Sequence, residues 1–329
     1  MLILNANEVR EALPMKETIE AMKQAYASLS NGKADVPLRT RLSIPPHEAL
    51  SLFMPAYVQT EKEESLAIKV VSLFPQNPSR GLAYIQAAVL VLEADTGRAL
   101  ALLEGSTLTA IRTGAGSGAA IDLLARQDSK IAAIFGAGVQ GRTQLEAVCT
   151  ARSLEVVYVF DPNPEKAKAF AEEMKGRGAI PYDVRVASSP KEAIENADII
   201  CTATTSIRPV FDDKDLKPGT HISGIGSYTP EMAEVPPETV RRAKVFVDSR
   251  SAVLAEAGDL IQPIREGTIT EAHIAAELGE VVLGRKTGRT SNEEITFFKS
   301  VGVAAQDAVA AQLALKHAKA RGLGQQVEF

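Results

Sequence analysis

Hydrophobic positions recur along this chain with two different rhythms, and the change from one to the other divides it. Residues 5–31 carry a helical stripe, with Ile19, Met22, Tyr26 and Leu29 at 3.6-residue spacing, Asn7 as a cap, Pro14 as an interruption and Asn31-Gly32 as the end. Four runs of β-forming residues follow at 38–44, 50–58, 66–74 and 84–92, and the last turns back through Asp95-Thr96-Gly97 into 99–103 as a hairpin. Short polar or Pro/Gly connections, with no helices between the runs, predict an α+β domain built on a largely antiparallel sheet.

From Lys130 strands alternate with helices: 131–135, 156–161, 184–187, 198–204, 220–226 and 244–248 read as strands. That alternation predicts a doubly wound, Rossmann-type sheet of the α/β class. Residues 248–293 carry helices with several glycines. The alanine-rich stretch 295–319 reads as one helix with Phe298, Val301, Ala305 and Ala308 on its buried face, returning to the first domain. The expected organisation is therefore a discontinuous α+β domain, 1–113 joined by 305–329, around a dinucleotide-binding domain at 114–304. The tail 322–329 reads as mobile.

The stretch KIAAIFGAGVQG at 130–141 organises the second domain. An apolar run, Ile131 to Phe135, stops at Gly136-Ala137-Gly138-Val139-Gln140-Gly141, and a helical pattern with Leu145, Val148 and Ala151 on one face follows. In a strand, turn and helix of this kind the first glycine permits the turn, the second admits a pyrophosphate, and the third lets helix and strand pack closely. The anion would rest on free N–H groups at the positive helix end. Asp161 closes the next strand 20 residues beyond Gly141. A carboxylate there accepts bonds from both ribose hydroxyls of NAD and repels the 2′-phosphate of NADP, which sets a preference for NAD(H) and not a bar to NADP(H). The other reading of Asp161 is a cap of the following helix, a role that Asn163 within Pro162-Asn163-Pro164 is also placed to fill.

Polar residues interrupt the first sheet at informative places. Arg39 and Arg41 alternate with Leu38, Thr40 and Leu42, which puts both guanidinium groups on one face. Lys69 lies in the apolar run Ala67-Ile68-Lys69-Val70-Val71, where an unpaired ammonium would be costly, so it needs an anion: either an acidic residue of its own domain or a ligand. Arg112 opens the glycine-dotted helix Thr113-Gly114-Ala115-Gly116-Ser117-Gly118 and is expected to face a cleft. Basic groups converging there would bind a carboxylate, with arginine geometry fixing its plane. Ligands of doubly wound sheets lie beyond the strand carboxyl ends, which places Thr202, Thr204, Gly224 and Gly226 at the floor of the site.

Composition narrows the partners. In 329 residues, 36 basic against 41 acidic side chains with no long block of either sign give neither a phosphate-tracking groove nor an acidic tail, which argues against nucleic acid. No apolar run reaches the roughly 20 residues of a membrane helix, and Met1-Leu2-Ile3-Leu4 leads into polar Asn5 and Asn7 and not a signal peptide, so a cytoplasmic protein is expected. Cys149 and Cys201 belong to no paired motif, and the four histidines form no metal spacing; no metal is expected.

Taken together, R-x-R-L at 39–42, A-I-K-V-V at 67–71, T-A-I-R-T-G-A at 109–115, G-A-G-V-Q-G at 136–141 and F-K-S-V-G-x-A-x-x-D at 298–307 resemble the ornithine cyclodeaminase/μ-crystallin family over nearly the whole chain. The resemblance implies an NAD(P)-dependent homodimer acting on small amino or imino acids, with the first domain supplying the dimer interface. It implies that Arg41, Lys69 and Arg112 hold the substrate carboxylate. It also implies that Val139, Gln140, Asp161, Thr202 and Ser300 contact the cofactor with Lys299 near it, and Arg112, Thr113, Gly136, Ala137, Gly138, Thr204 and Gly226 complete the expected cofactor set. One departure stands out. Where cyclodeaminases resemble one another in an Asp within G-D-x-P-G-K, this chain has Gly226-Ser227-Tyr228-Thr229-Pro230-Glu231-Met232. A neutral phenol at Tyr228 does not attract a second ammonium as a carboxylate does; Tyr228 either takes part in the chemistry or packs beside the nicotinamide.

The activity expected from these residues is NAD(H)-dependent reduction of a small α-imino acid such as Δ1-pyrroline-2-carboxylate or its six-membered homologue, giving proline or pipecolate. Arg41 and Arg112 would clamp the carboxylate and bring the imine carbon to about 3 to 3.5 Å from nicotinamide C4. Lys69 would donate the proton, orient a water or stabilise the carboxylate. Alanine dehydrogenase, iminosuccinate-type reductase and ornithine cyclodeaminase are the rival enzyme readings, and a non-catalytic μ-crystallin-like binder is the rival of another class.

Overall fold

A computed structural model describes residues 1–328; Phe329 lies outside the described residues. The chain forms two compact units, one of residues 1–112 with 303–329 and one of residues 113–302. These divisions compare with expected boundaries at 113/114 and 304/305.

The first unit begins with β1 (Leu2–Leu4), α1 (Ala6–Ala12) and α2 (Met15–Ser30). Asn5, not Asn7, caps α1: its Oδ1 accepts from the N–H groups of Asn7 and Glu8, and Glu8 returns the bond to the Asn5 N–H. Pro14 separates the two helices, as its missing N–H requires. The strands are β2 (Ala34–Asp35), β3 (Thr40–Ile44), β4 (Ala49–Gln59), β5 (Glu64–Leu73), β6 (Ile85–Leu92) and β7 (Ala99–Glu104), the last two joined through the DTG turn. Gly97 in that turn has φ +74°, a conformation costly for a residue with a Cβ. Helix α3 (Gly105–Leu124) follows, and the division between units falls inside it.

Register in this sheet decides what is buried. Met54, Lys69, Val89 and Leu103 stand side by side across β4, β5, β6 and β7 and are all buried. One residue along, Pro55, Ile68, Leu90 and Leu102 form the matching row on the other face and are only half-buried. Alternation of this kind means that one face is covered and the other is not.

The second unit contains β8 (Ile131–Phe135), α4 (Val139–Ala151), β9 (Val156–Phe160), α5 (Pro164–Met174), β10 (Val184–Val186), α6 (Pro190–Ile194), β11 (Ile199–Thr202), β12 (His221–Gly224), α7 (Pro237–Arg242), β13 (Lys244–Val247), α8 (Arg250–Glu256), α9 (Gly258–Arg265), β14 (Ile274–Glu277), α10 (Leu278–Val282) and β15 (Thr296–Lys299). Its eight strands run β10-β9-β8-β11-β12-β15-β13-β14, all parallel. Strand order reverses at β8, between β9 and β11, which makes the loop after β8 a topological switch point. Apolar clusters cover both sheet faces, as the near-continuous hydrophobic strands require.

One expectation fails here: the front of the stretch 295–319 is not helix. Thr296, Phe297 and Phe298 are β-forming residues, fully buried in β15 between β12 and β13. Gly302, at φ +80°, then turns the chain, and the helix α11 (Ala304–Arg321) starts only afterwards. Of the expected helical face, Ala305 and Ala308 are buried on α11, while Phe298 and Val301 precede it.

Helices α2 and α11 pack over the buried face of the first sheet. The tail is not loose either: β16 (Gln325–Gln326) pairs antiparallel with β1, and the Met1 amino group donates to Val327 O at 2.7 Å. These are main-chain bonds and carry little side-chain signal. No helix is long and apolar enough to cross a membrane among the described residues.

Candidate active site

Within the first unit, Lys69 points from β5 into the covered face, 2% exposed. Its Nζ lies 2.7 Å from Oδ2 of Asp307 on α11, a buried ion pair whose angle departs from that of a directed hydrogen bond. Of the two readings of Lys69, an internal acidic partner is present. Arg112, also buried, donates from Nε to Oδ1 of the same Asp307 at 2.8 Å and from Nη1 to Gln306 Oε1 at 3.2 Å. Gln306 in turn donates from Nε2 to the buried Tyr26 hydroxyl at 2.8 Å. Arg112 Nη2 has no hydrogen-bond partner among the described residues.

Arg41 lies on β3 opposite Leu52, which pairs with Val71, so its side chain belongs to the same sheet face as Lys69. The Arg41 side chain is exposed. Arg39 acts electrostatically on Lys69 from the same edge.

Burial pushes the Lys69 ammonium down to about 7, against the pull of Asp307 and with help from Arg112 and Arg39. Burial works upward on the Asp307 carboxyl, but Arg112 and Lys69 hold it below the usual carboxylate range. One carboxylate thus serves two buried cations, leaving the cluster with an excess positive charge in dry surroundings.

In the second unit Gly136 has φ +98°, and a Cβ on Gly141 would collide with Gly136 O, so the turn and the helix-to-strand contact both require glycine. A Cβ on Gly138 would meet nothing within 4 Å. The N–H of Gly136 donates to Phe160 O and that of Ala137 to Asp161 Oδ2. The N–H groups of Gly138, Val139 and Gln140, at the start of α4, have no partner among the described residues. Three unpartnered amides beside an open glycine at a helix start fit a dinucleotide pyrophosphate.

The cavity beside this turn, about 1020 Å³, is lined by Gly136 to Gly138, Asp161, Lys166 and Thr204 among others. Asp161 Oδ1 accepts from the Asn163 N–H at 2.9 Å, and Asn163 Oδ1 caps α5, so Asp161 is not the helix cap. Val139 is 67% exposed at the start of α4.

Beyond the ends of β11 and β12, Thr202, Thr204 and Gly226 gather around Glu234, a fully buried residue that sequence reasoning missed. Its carboxylate accepts from Thr202 Oγ1, the Thr204 N–H and Oγ1, and the Gly226 and Ser227 N–H groups at 2.6 to 3.2 Å. Burial, with Asp259 nearby, raises the Glu234 carboxyl above the usual range, against the pull of Lys299 and the Thr204 donors. Asp259 Oδ1 accepts from the Glu234 N–H, and Asp259 Oδ2 lies 3.2 Å from Lys299 Nζ, which also donates to Gly224 O. Lys299 is fully buried and its ammonium is committed to these groups. Ser300 Oγ donates to the buried Asp248, Thr113 is buried in α3, and Tyr228, in the loop after β12, is 37% exposed.

The structure therefore brings Lys69 and Arg112 together through Asp307, with Arg41 on their face, and gathers Gly136 to Gln140 with Asp161 in the other unit. Asp307 stood within a quoted motif, as the lone acid among buried alanines of α11. Glu234 gave no such signal, because its donors come from two separate loops.

Known proteins resemble this chain over nearly its whole length. A family model described as ornithine cyclodeaminase/mu-crystallin matches residues 1–322. A Δ1-pyrroline-2-carboxylate reductase of Bacillus cereus is 41% identical over 330 residues, spanning 100% of both chains. The solved Δ1-pyrroline-2-carboxylate reductase of Thermococcus litoralis, in complex with NADH and L-proline, is 48% identical with a TM-score of 0.94, covering 99% of this chain and 100% of that one. An archaeal alanine dehydrogenase dimer with bound NAD is 31% identical with a TM-score of 0.91, covering 100% and 99%. A likeness that runs from the first strand into the last helix makes this chain a member of the ornithine cyclodeaminase/mu-crystallin family.

Proposed function

We propose that this protein is an NAD(H)-dependent reductase of a small cyclic α-imino acid of the Δ1-pyrroline-2-carboxylate type, forming the corresponding cyclic amino acid. The observation that carries the reading is the buried Lys69, brought to about 7 beside Asp307 and Arg112. A proton donor poised near neutrality is what reduction of a carbon–nitrogen double bond needs from the protein.

Bound at the amides of Gly138, Val139 and Gln140 and at Asp161, NADH supplies the hydride. Arg112, through its unpartnered Nη2, and Arg41 bind and orient the substrate carboxylate. Lys69 gives a proton to the imine nitrogen, becomes a neutral amine and recovers the proton from solvent, while Asp307 holds it in place. Asp161 favours NAD(H) over NADP(H) by its charge.

Cyclodeamination finds no support at Tyr228, where a carboxylate for a second ammonium is missing. A binding protein without chemistry would have no use for an ammonium brought to neutrality. The half-buried apolar row Pro55, Ile68, Leu90 and Leu102 supports a homodimer formed through the open face of the first sheet, because one copy's row fits a second. Two buried, unpaired cysteines fit a reducing cytoplasm.

NADH oxidation measured over a panel of cyclic imino acids, linear oxo acids with and without ammonia, and ornithine tests the reading. Turnover highest on a five- or six-membered cyclic imino acid is expected. Turnover confined to pyruvate with ammonia, proline formation from ornithine without net NADH change, or NADH binding without any turnover would each replace it.

A further inference from the structure

The glycine turn has a support that the cofactor reading does not use. Arg142, one turn into α4, donates from Nη1 to Ala137 O at 2.9 Å and to Gly138 O at 3.0 Å. Its Nε and Nη2 hold Glu173 on α5 at 2.5 to 3.1 Å, and its guanidinium lies 5.2 Å from the Phe170 ring centroid. The fork is thus anchored by a carboxylate and an aromatic ring of the neighbouring helix.

The consequence follows from peptide geometry. In a trans peptide, C=O and N–H point in opposite directions. Ala137 O shares its peptide plane with the Gly138 N–H, and Gly138 O shares its plane with the Val139 N–H. Holding both carbonyls on one side directs both amides to the other, and these are two of the three amides left without a partner among the described residues. The Arg142 main-chain N–H also bonds Gly138 O at 3.3 Å as the first bond of α4, so its side chain reinforces the Gly138 carbonyl and alone holds that of Ala137, in a plane that glycine at 136 and 138 otherwise leaves free to turn.

We propose that Arg142, fixed by Glu173, is the positioning residue that sets the Gly138 and Val139 amides for the dinucleotide pyrophosphate. The inference rests on the reading that this turn seats the pyrophosphate. Arg142 touches neither substrate nor reacting atoms, and its effect is read in cofactor affinity alone.

Dissociation constants of NADH, ADP-ribose and adenosine for Arg142→Met, Arg142→Lys and Gly138→Ala test it, together with steady-state kinetics. Arg142→Met keeps an aliphatic stem over Phe170 and is expected to weaken NADH and ADP-ribose about ten-fold, the loss of two hydrogen bonds to carbonyls. Adenosine, which has no phosphate, should bind within about two-fold of wild type, and kcat at saturating NADH should hold while KM for NADH rises. Arg142→Lys should recover part of the loss. Unchanged NADH binding in Arg142→Met, or adenosine weakened as much as ADP-ribose, overturns the proposal. Gly138→Ala separates the two levels, since its Cβ meets no atom of the protein within 4 Å. Normal NADH binding in that variant overturns the seat and the proposal together; lost binding there with wild-type binding in Arg142→Met overturns the proposal alone.

Discussion

Lys69 Nζ lies 2.7 Å from Asp307 Oδ2, and both side chains are 2% exposed. The other oxygen of that carboxylate takes Arg112 Nε at 2.8 Å. A single buried anion between two buried cations leaves a positive charge uncompensated where desolvation makes it expensive. If the substrate carboxylate binds here, as proposed, it relieves that imbalance and, like Asp307, raises Lys69.

The pH dependence follows from the same pair. Lys69 is protonated below about 7 and neutral above it. If it is the proton donor, kcat/KM should stay level on the acid side and fall by about ten-fold per pH unit above that point. Asp307→Asn removes the group that raises Lys69, leaving burial, Arg112 and Arg39 to lower it further. The falling limb should then move to lower pH. A pH–rate profile of both proteins checks the sign; a limb that stays in place or moves upward would contradict the pairing.

Lys69→Ala separates chemistry from binding. A general acid contributes roughly 10² to 10⁴ in rate, so kcat at saturating imino acid should fall by about that factor. An unchanged kcat with only a raised KM would make Lys69 a carboxylate ligand. Fixed NADH affinity in the variant would show that the second unit is undisturbed.

How much of this was visible in the amino-acid order varies with the range of the interaction. The strand, glycine turn and helix at 131–151 were legible because each part leaves a local mark: an apolar run, glycines where a Cβ has no room, and a 3.6-residue stripe. Lys69 and Arg112 were legible as charges in apolar company. Their partner was not, because Asp307 lies 195 residues from Arg112 and shows only as an acid in an alanine-rich helix. Strand β15 was hidden for another reason. Four buried residues are followed, after only Ser300 to Val303, by a helical pattern, and Gly302, which makes the turn, reads as one more small residue of an alanine-rich stretch. The pairing of β16 with β1 uses main-chain groups that every residue carries.

Glu234 should matter for stability and cofactor affinity together. Its five donors tie the loop after β11 to the loop after β12, and a Cβ on Gly226 would collide with its Oε1, so these parts leave no slack. Glu234→Ala strands those donors and leaves Lys299 with one carboxylate fewer nearby. Removing one member of a buried charged group costs about 3–5 kcal/mol. Urea unfolding should show a loss of that order, and NADH titration under native conditions should show weaker binding than wild type. A variant as stable as wild type would mean that the loops find other partners.

The open face of the first sheet gives the last prediction. Ile68 and Leu90 stand in register at the middle of an apolar row that is left half-buried, opposite the row that buries Lys69. If two copies meet there, a charge at Ile68 would be buried without a partner, at a cost of several kcal/mol per site, doubled by two-fold symmetry. Ile68→Glu should therefore run as a monomer in light scattering where wild type runs as a dimer. Because side chains at 68 and 69 point to opposite faces, the Lys69 cluster should survive, and any fall in activity should track protein concentration. A dimer that persists in Ile68→Glu would move the interface to another surface.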